Sequence, residues 1–284
     1  MKLYEVKETV KEQLKQAGIK EGDMESAIII EYVTGCNLAN FFLKRDEEAT
    51  KEQMESIFDI VEKRKTHMPL QYILGEQEFM GLNFLVNENV LIPRQDTELL
   101  VEQALGKVKS GWKVLDLCTG SGCIGISIKK YFKDVDVTCV DISEKALQVA
   151  KENARKHQVE ITFVQSDLYE KVEDRYDMIV SNPPYIESDV ITTLMEEVKD
   201  FEPILALDGD QDGLTFYRRL AKESFSYLKK NGMLLLEIGY NQGDAVSKLL
   251  KNNGYSQVEV KKDLCGFDRN VTAVWKDTIV SSIG

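Results

Sequence analysis

Histidine is nearly absent from this chain, with two among 284 residues: His67 in a connecting segment and His157 at a helix end. Both read as surface residues, so imidazole acid–base catalysis is not expected. Cysteine is sparse too. Cys36, Cys118, Cys123, Cys139 and Cys265 are odd in number and form no C-x-x-C pair. Neither a disulfide framework nor a zinc site is indicated, and the buried, reduced thiols of a cytosolic protein are the better reading. Positive charge is also short: Lys+Arg 36 against Asp+Glu 48 gives −12 at pH 7. A domain that grips nucleic acid by its phosphates is normally basic, so nucleic acid is not the expected substrate. No apolar run approaches the ~20 residues of a membrane span. Met1-Lys2-Leu3-Tyr4-Glu5 lacks the apolar stretch of a signal peptide. No internal repeat or low-complexity segment appears. A soluble cytoplasmic protein with no membrane association is expected.

The first part of the chain reads as helical. Leu3, Val6, Val10, Leu14 and Ala17 recur at helical spacing before Gly18, and Asp23 is placed to cap a second helix that Gly35 ends. Thr50-Lys51-Glu52-Gln53 fits a capping box opening a third, with Met54, Ile57, Phe58 and Val61 on one face. These predict a small bundle over residues 1–66, readable either as a stabilising cap or as a substrate-docking domain. From 67 to 93 the pattern changes. Gln71 to Gly75, Glu78-Phe79 and Leu82 to Val86 look strand-like, with Gly75 and Gly81 between them, and suggest a β-hairpin linker.

Over 94–284 strands and helices alternate, the mark of a doubly wound α/β sheet. Val114–Leu117, Val135–Val140, Ile161–Gln165, Met178–Val180 and Met233–Ile238 are the expected strands. Val258–Val260 and Val271–Trp275 close the sheet as an antiparallel pair, being too close in sequence for a crossover helix.

Chemistry concentrates at Asn182-Pro183-Pro184-Tyr185, at the end of the fourth of these strands. Adjacent prolines fix φ and remove two backbone donors, so the turn is stiff and offers carbonyls. Asn182 adds a side-chain acceptor and Tyr185 a flat ring. Acceptors beside a flat ring suit a planar NH2 group. The run resembles the N-P-P-Y signature of S-adenosylmethionine-dependent methyltransferases that modify adenine N6, guanine N2 or glutamine amides.

Gly120-Ser121-Gly122-Cys123-Ile124-Gly125 matches G-x-G-x-x-G, with Asp141 about 20 residues on. That loop alone would serve a nicotinamide cofactor as well. Asp116 bears on the choice, because a carboxylate repels a pyrophosphate but attracts an ammonium and a sulfonium; capping the loop through backbone N–H groups suits either cofactor. Asp141 fits ribose hydroxyls, Asp167 could accept from an adenine amino group, and Leu168 could pack on the ring. The N-P-P-Y run decides for S-adenosylmethionine, with S-adenosylhomocysteine as product.

Further motifs follow in order: Pro69 to Gly75, Leu91-Ile92-Pro93-Arg94-Gln95-Asp96-Thr97-Glu98, Asp116-Leu117-Cys118-Thr119-Gly120-Ser121-Gly122, Phe201-Glu202-Pro203, Asp212-Gly213-Leu214, and Glu237-Ile238-Gly239 with Gln242-Gly243. Together they resemble the HemK/PrmC family, the N5-glutamine methyltransferases of peptide chain release factors. The resemblance implies a class I methyltransferase domain of seven strands, with a helical N-terminal domain that recognises the release factor. It implies methyl transfer, in the service of translation termination, to the glutamine amide of a Gly-Gly-Gln loop, with no metal. Asn182, Pro183, Pro184 and Tyr185 would be catalytic. Asp116, Cys118, Thr119, Gly120, Ser121, Gly122, Asp141, Asp167, Leu168 and Asn182 would hold the cofactor. Arg94 and Glu98 could contact substrate or cofactor, but an arginine with acidic neighbours at a helix start reads rather as a local salt bridge, and both are left out of the catalytic set. Gln95 stands where proline is usual and Cys118 where glycine is usual; Cys118 preserves the loop's backbone contacts if its φ is negative. Competing readings are a ribosomal-protein glutamine methyltransferase, an amino-methyltransferase of nucleic-acid bases, and a binding protein without catalysis.

Overall fold

A computed structural model describes residues 1–276. Residues 277–284, the end of the expected catalytic domain, lie outside the described residues. Two compact units form. One comprises Met1–Gly75 together with Met195–Phe201; the other comprises Glu76–Leu194 and the chain from Glu202. Among the described residues no helix is long and apolar enough to cross a membrane.

The first unit packs the helices Leu3–Gln16, Gly22–Thr34, Leu38–Lys44 and Lys51–Arg64. Leu3, Val6, Val10 and Leu14 are buried at the expected spacing and meet Ile29, Ile30, Ile57 and Val61. Thr50 forms the expected capping box, its hydroxyl accepting from Gln53 N at 3.2 Å and Gln53 Oε1 accepting from Thr50 N at 3.0 Å. Asp23 is not a cap; it lies in the first turn, after Glu21. An unforeseen helix, Leu38–Lys44, is capped by Asn37 Oδ1, which accepts from Asn40 N at 3.0 Å. The strand expected at Gln71–Gly75 is a short helix, Leu70–Leu74, with Pro69 before it and Gly75 in the left-handed conformation after it. Arg64, 1 % exposed, donates to Glu25 at 2.8 and 3.0 Å and also to Glu197. Such a charge is tolerated in a core only because its donors are paired.

The second unit begins with a hairpin, β1 (Glu76–Phe79) and β2 (Leu82–Leu85). Its main sheet comprises β3 (Trp112–Leu117), β4 (Val135–Asp141), β5 (Thr162–Gln165), β6 (Tyr176–Ser181), β7 (Leu228–Glu237), β8 (Tyr255–Lys262) and β9 (Asp268–Trp275). The order is β5-β4-β3-β6-β7-β9-β8. From β5 to β7 all neighbours are parallel; β9 runs antiparallel to β7 and β8. The expected antiparallel closing pair is present.

Both faces of the sheet are buried, and side chains alternate between them. Leu115, Leu117, Ile179, Leu234 and Leu236 pack on one side, while Val114, Met178, Val180 and Leu235 pack on the other. Strand order reverses at β3, with β4 to one side and β6 to the other. In open α/β sheets this switch point, at the carboxyl ends of the strands, is where a crevice forms.

His157 is not a surface residue. It is 8 % exposed, its Nε2 lies 3.0 Å from the Asn83 carbonyl, and its ring packs on Phe84. Burial lowers its pKa. Cys36, Cys123 and Cys139 are buried thiols as expected, whereas Cys265 is exposed and Cys118 half-buried.

Candidate active site

Register brings the two motif loops together. Leu117 of β3 is the Cα partner of Ser181 of β6, and Ser181 Oγ donates to the Leu117 carbonyl at 2.8 Å. The next residues, Cys118 and Asn182, therefore open adjacent loops at the switch point. Both line one cavity, with Thr119, Gly120, Ser121, Asp141, Asp167, Leu168 and Pro184. Nine of the expected site residues thus share a single wall system.

The glycine loop is shaped from behind. Gly122, at φ +82°, precedes the helix Cys123–Tyr131. A Cβ on Gly125 would lie 2.5 Å from Cys139 Sγ and 3.1 Å from Asp116 Oδ2. Only glycine lets this helix approach the sheet so closely. Cys118 takes φ +58°, so it occupies the strained, left-handed position where glycine is usual. Its thiol stays protonated, since burial raises its pKa.

Asp116 requires a correction. It is wholly buried, on the face covered by the helix Cys123–Tyr131, and does not line the cavity. Alternation along β3 explains this, because Asp116 points opposite to Leu115 and Leu117. Its Oδ2 accepts from Thr119 Oγ1 at 2.6 Å and Gly125 N at 3.0 Å. Its carboxyl is pushed up to about 7 by burial, against the pull of these two hydrogen bonds. Asp116 holds the loop's shape and does not face a ligand's cation. Gly122 likewise acts from behind the wall.

Asp141 ends β4, its Oδ2 accepting from Gly120 N at 2.8 Å and its Oδ1 from Ser143 N at 2.9 Å. Burial raises its pKa, opposed by these backbone donors. Ser143 caps the next helix, its Oγ accepting from Ala146 N at 3.2 Å. Asp167 pairs with Arg219 at 2.8 Å, a cation the sequence motifs did not include. Leu168, at φ +47°, and Ile142 add apolar walls nearby.

On the other side, Asn182 Nδ2 donates to Thr97 Oγ1 at 3.2 Å. Pro183 is buried, and Pro184 lines the cavity. Tyr185 does not line it. Its ring packs against the core and its hydroxyl donates to Glu237 Oε1 at 3.4 Å, so the expected stacking face is turned inward. Gln242 ties this loop down, donating from Nε2 to the carbonyls of Tyr185 at 3.0 Å and Gly213 at 3.3 Å. Arg94 lines the cavity but forms no local bridge with Glu98. It pairs with Glu202, which also accepts from Ile92 N at 3.4 Å. Glu98 instead accepts from Met80 N. Thr97, Arg94 and Glu202 all stood in motifs quoted from the sequence, yet their partners lie far away along the chain.

The arrangement fits an adenosyl ligand: a carboxylate at the end of β4, apolar walls at Ile142 and Leu168, a glycine loop, and an amide at the mouth of β6.

A family model described as "Methyltransferase small domain" matches residues 94–209, and one described as "PrmC N-terminal domain" matches residues 5–75. The release factor glutamine methyltransferase of Clostridium acetobutylicum is 44% identical over 257 residues, covering 88% of this chain and 90% of that protein. That of Streptococcus pneumoniae is 38% identical over 276 residues, covering 95% and 98%. Among solved structures, a methyltransferase from Pyrococcus furiosus superposes with TM-score 0.53 at 17% identity, covering 70% of this chain and 91% of that one. A ribosomal protein L11 methylase from Lactobacillus delbrueckii subsp. bulgaricus gives 0.50 at 19%, covering 67% and 84%. These structural likenesses establish the class I methyltransferase fold.

Proposed function

The chain belongs to the release factor glutamine methyltransferases, and from that premise we propose that it methylates the side-chain amide N5 of the glutamine in a release factor's Gly-Gly-Gln loop. The observation that carries this reading is the Leu117–Ser181 register, which sets the glycine loop beside Asn182.

S-Adenosylmethionine, when bound, supplies an electrophilic methyl group on a sulfonium that is a good leaving group. Cys118 to Ser121 would hold its middle by backbone contacts, Asp141 the ribose hydroxyls, and Leu168 the adenine face. Asp167 serves the adenine edge while keeping its ion pair with Arg219. An amide nitrogen is a weak nucleophile because its lone pair is delocalised. Holding it in line at near-attack distance replaces much of what a strong base would do. Asn182 Oδ1 and the Pro183 carbonyl accept from the two substrate N–H groups. Partial positive charge on that nitrogen strengthens both bonds in the transition state. As the N–CH3 bond forms the S–CH3 bond breaks, the sulfonium leaves as the neutral thioether of S-adenosylhomocysteine, and one N–H proton is released to solvent. Pro183 and Pro184 keep the turn stiff. Tyr185 acts from behind by fixing the loop.

We assign the helical unit a docking role toward the release factor, in the cytoplasm where that substrate is found. Residues 1–66 would be the docking part and 67–93 the connection. The test offers labelled S-adenosylmethionine with purified release factor, ribosomal proteins and DNA in parallel. Label on release factor alone is expected, and loss of it when the acceptor glutamine is replaced by alanine. Label on a ribosomal protein or on DNA, with none on release factor, would overturn the assignment.

A further inference from the structure

Gly213, Gly239 and Gln242 belong to the ordered motifs, yet none of them lines the cavity. Gln242 stands at the N-cap of the helix Gly243–Asn252, but its side chain does not cap that helix. Such positions favour Ser, Thr, Asp or Asn, whose short side chains reach the first free N–H groups. The Gln242 side chain, 7 % exposed, turns the other way. Its Oε1 accepts from Gly239 N at 2.9 Å, and its Nε2 donates to the carbonyls of Tyr185 at 3.0 Å and Gly213 at 3.3 Å. A donor on one side and two acceptors on the other leave a single orientation for the amide.

The Tyr185 carbonyl is the point where the Asn182–Tyr185 turn stops being stiff. Each proline fixes its own φ and pushes the residue before it to extended ψ. Asn182 and Pro183 are both followed by proline, so both are restricted. Pro184 is followed by Tyr185, and its ψ, with the φ and ψ of Tyr185, are the first soft dihedrals of the turn. Gln242 holds the carbonyl that these dihedrals aim. One residue on, Ile186 N donates to the Leu207 carbonyl at 3.0 Å, and the Ile186 carbonyl accepts from Gly209 N at 2.8 Å. Glycines let these segments close in. A Cβ on Gly213, at φ +66°, would overlap the Tyr185 carbonyl oxygen and lie 2.6 Å from Gln242 Nε2; one on Gly209 would lie 2.8 Å from Tyr185 Cα.

We propose that Gln242 is a positioning residue for methyl transfer. It pins the soft end of the acceptor turn, so that Asn182 Oδ1 and the Pro183 carbonyl meet the substrate amide already in place. The proposal rests on the glutamine-methyltransferase reading and deepens it. Gln242 does not line the cavity, so it acts through the Tyr185 carbonyl. Gly213 and Gly239 belong to the same device: the first admits the amide beside that carbonyl, and the second supplies the N–H that orients it. Without the pin, two stiff prolines swing on a hinge and carry both acceptors off the line of attack.

The test uses the full-length protein and reads kcat for release-factor methylation, the KM for release factor and calorimetric S-adenosylmethionine affinity. Gln242→Met keeps length and bulk, removes all three hydrogen bonds and takes no cap from the helix. It should lower kcat roughly 10- to 100-fold, while cofactor affinity and KM stay within about twofold. Gly213→Ala reaches the same contact from the other side, driving a methyl group between the Tyr185 carbonyl and the Gln242 amide, and should give the same split. The fall caused by Gln242→Met should be smaller in an Asn182→Ala background, since one acceptor that the pin serves is already gone. An unchanged kcat in either single variant would overturn the proposal. So would a loss carried by cofactor affinity instead of kcat, or an undiminished effect in the Asn182→Ala background, since each marks general damage to the fold. No methylation of release factor by wild type would instead defeat the underlying reading, and the proposal with it.

Discussion

Asp116 shows how far one residue's role departs from its motif. The sequence places it beside the glycine loop, and charge alone suggests that it faces a cationic ligand. Strand alternation decides otherwise, turning it to the face where Gly125 and Cys139 sit. Its raised pKa has a stability consequence. A carboxyl whose folded pKa lies above the unfolded value near 3.8 contributes stability fully below that value. The contribution is lost as pH rises towards the folded value of about 7. Wild-type stability relative to Asp116→Asn should therefore fall between these limits and level off above them. Urea midpoints measured across the range check this; a constant difference would contradict it. Thr97 was also visible as a motif member, but not as the partner of Asn182. Thr97 and Asn182 are 85 residues apart, and spacing carries no record of a hydrogen bond across that interval.

At the scale of elements, the sheet strands and their order of appearance were legible, because buried apolar runs bounded by turn residues are a strong signal. Short pieces were not. Gln71 to Leu74 has the alternation of a strand, yet Pro69 at the start and a left-handed Gly75 at the end enclose one helical turn. Leu38–Lys44 was missed because seven residues hold too few periods to declare themselves. The packing of the helix Cys123–Tyr131 yields a sharp expectation. In Gly125→Ala the new Cβ would meet Cys139 Sγ at 2.5 Å and Asp116 Oδ2 at 3.1 Å. Overpacking should cost about 1–3 kcal/mol and weaken S-adenosylmethionine binding by shifting the loop. Calorimetry and urea unfolding should both register it, and an unperturbed variant would refute the close-approach account of this glycine. Arg64 is the corresponding point in the helical unit. Arg64→Ala leaves Glu25 and Glu197 without their cation and should destabilise that unit by about 3–5 kcal/mol, visible as a separate early unfolding phase. A single transition unchanged in midpoint would show the cluster to be dispensable.

For the whole molecule, the seven-stranded architecture and the family were both readable before any coordinates, since ordered motifs spread along the chain are far more specific than any one of them. The division of labour inside the site was less readable. Cys118, Thr119, Gly120, Ser121, Asp141, Asp167, Leu168, Asn182 and Pro184 gather at one cavity. Asp116, Gly122, Pro183 and Tyr185 support it from behind, because depth below a surface does not show in a one-dimensional pattern. The central claim is that an oriented amide at residue 182, not a strong base, promotes methyl transfer to a release-factor glutamine. Its most direct test is single-turnover methylation of release factor by Asn182→Ala at saturating S-adenosylmethionine, with calorimetric affinity measured on the same protein. Removing one transition-state hydrogen bond should slow the step roughly 10²- to 10³-fold and leave cofactor affinity near that of wild type. Methylation at the wild-type rate would contradict the role assigned to the whole Asn182–Tyr185 turn.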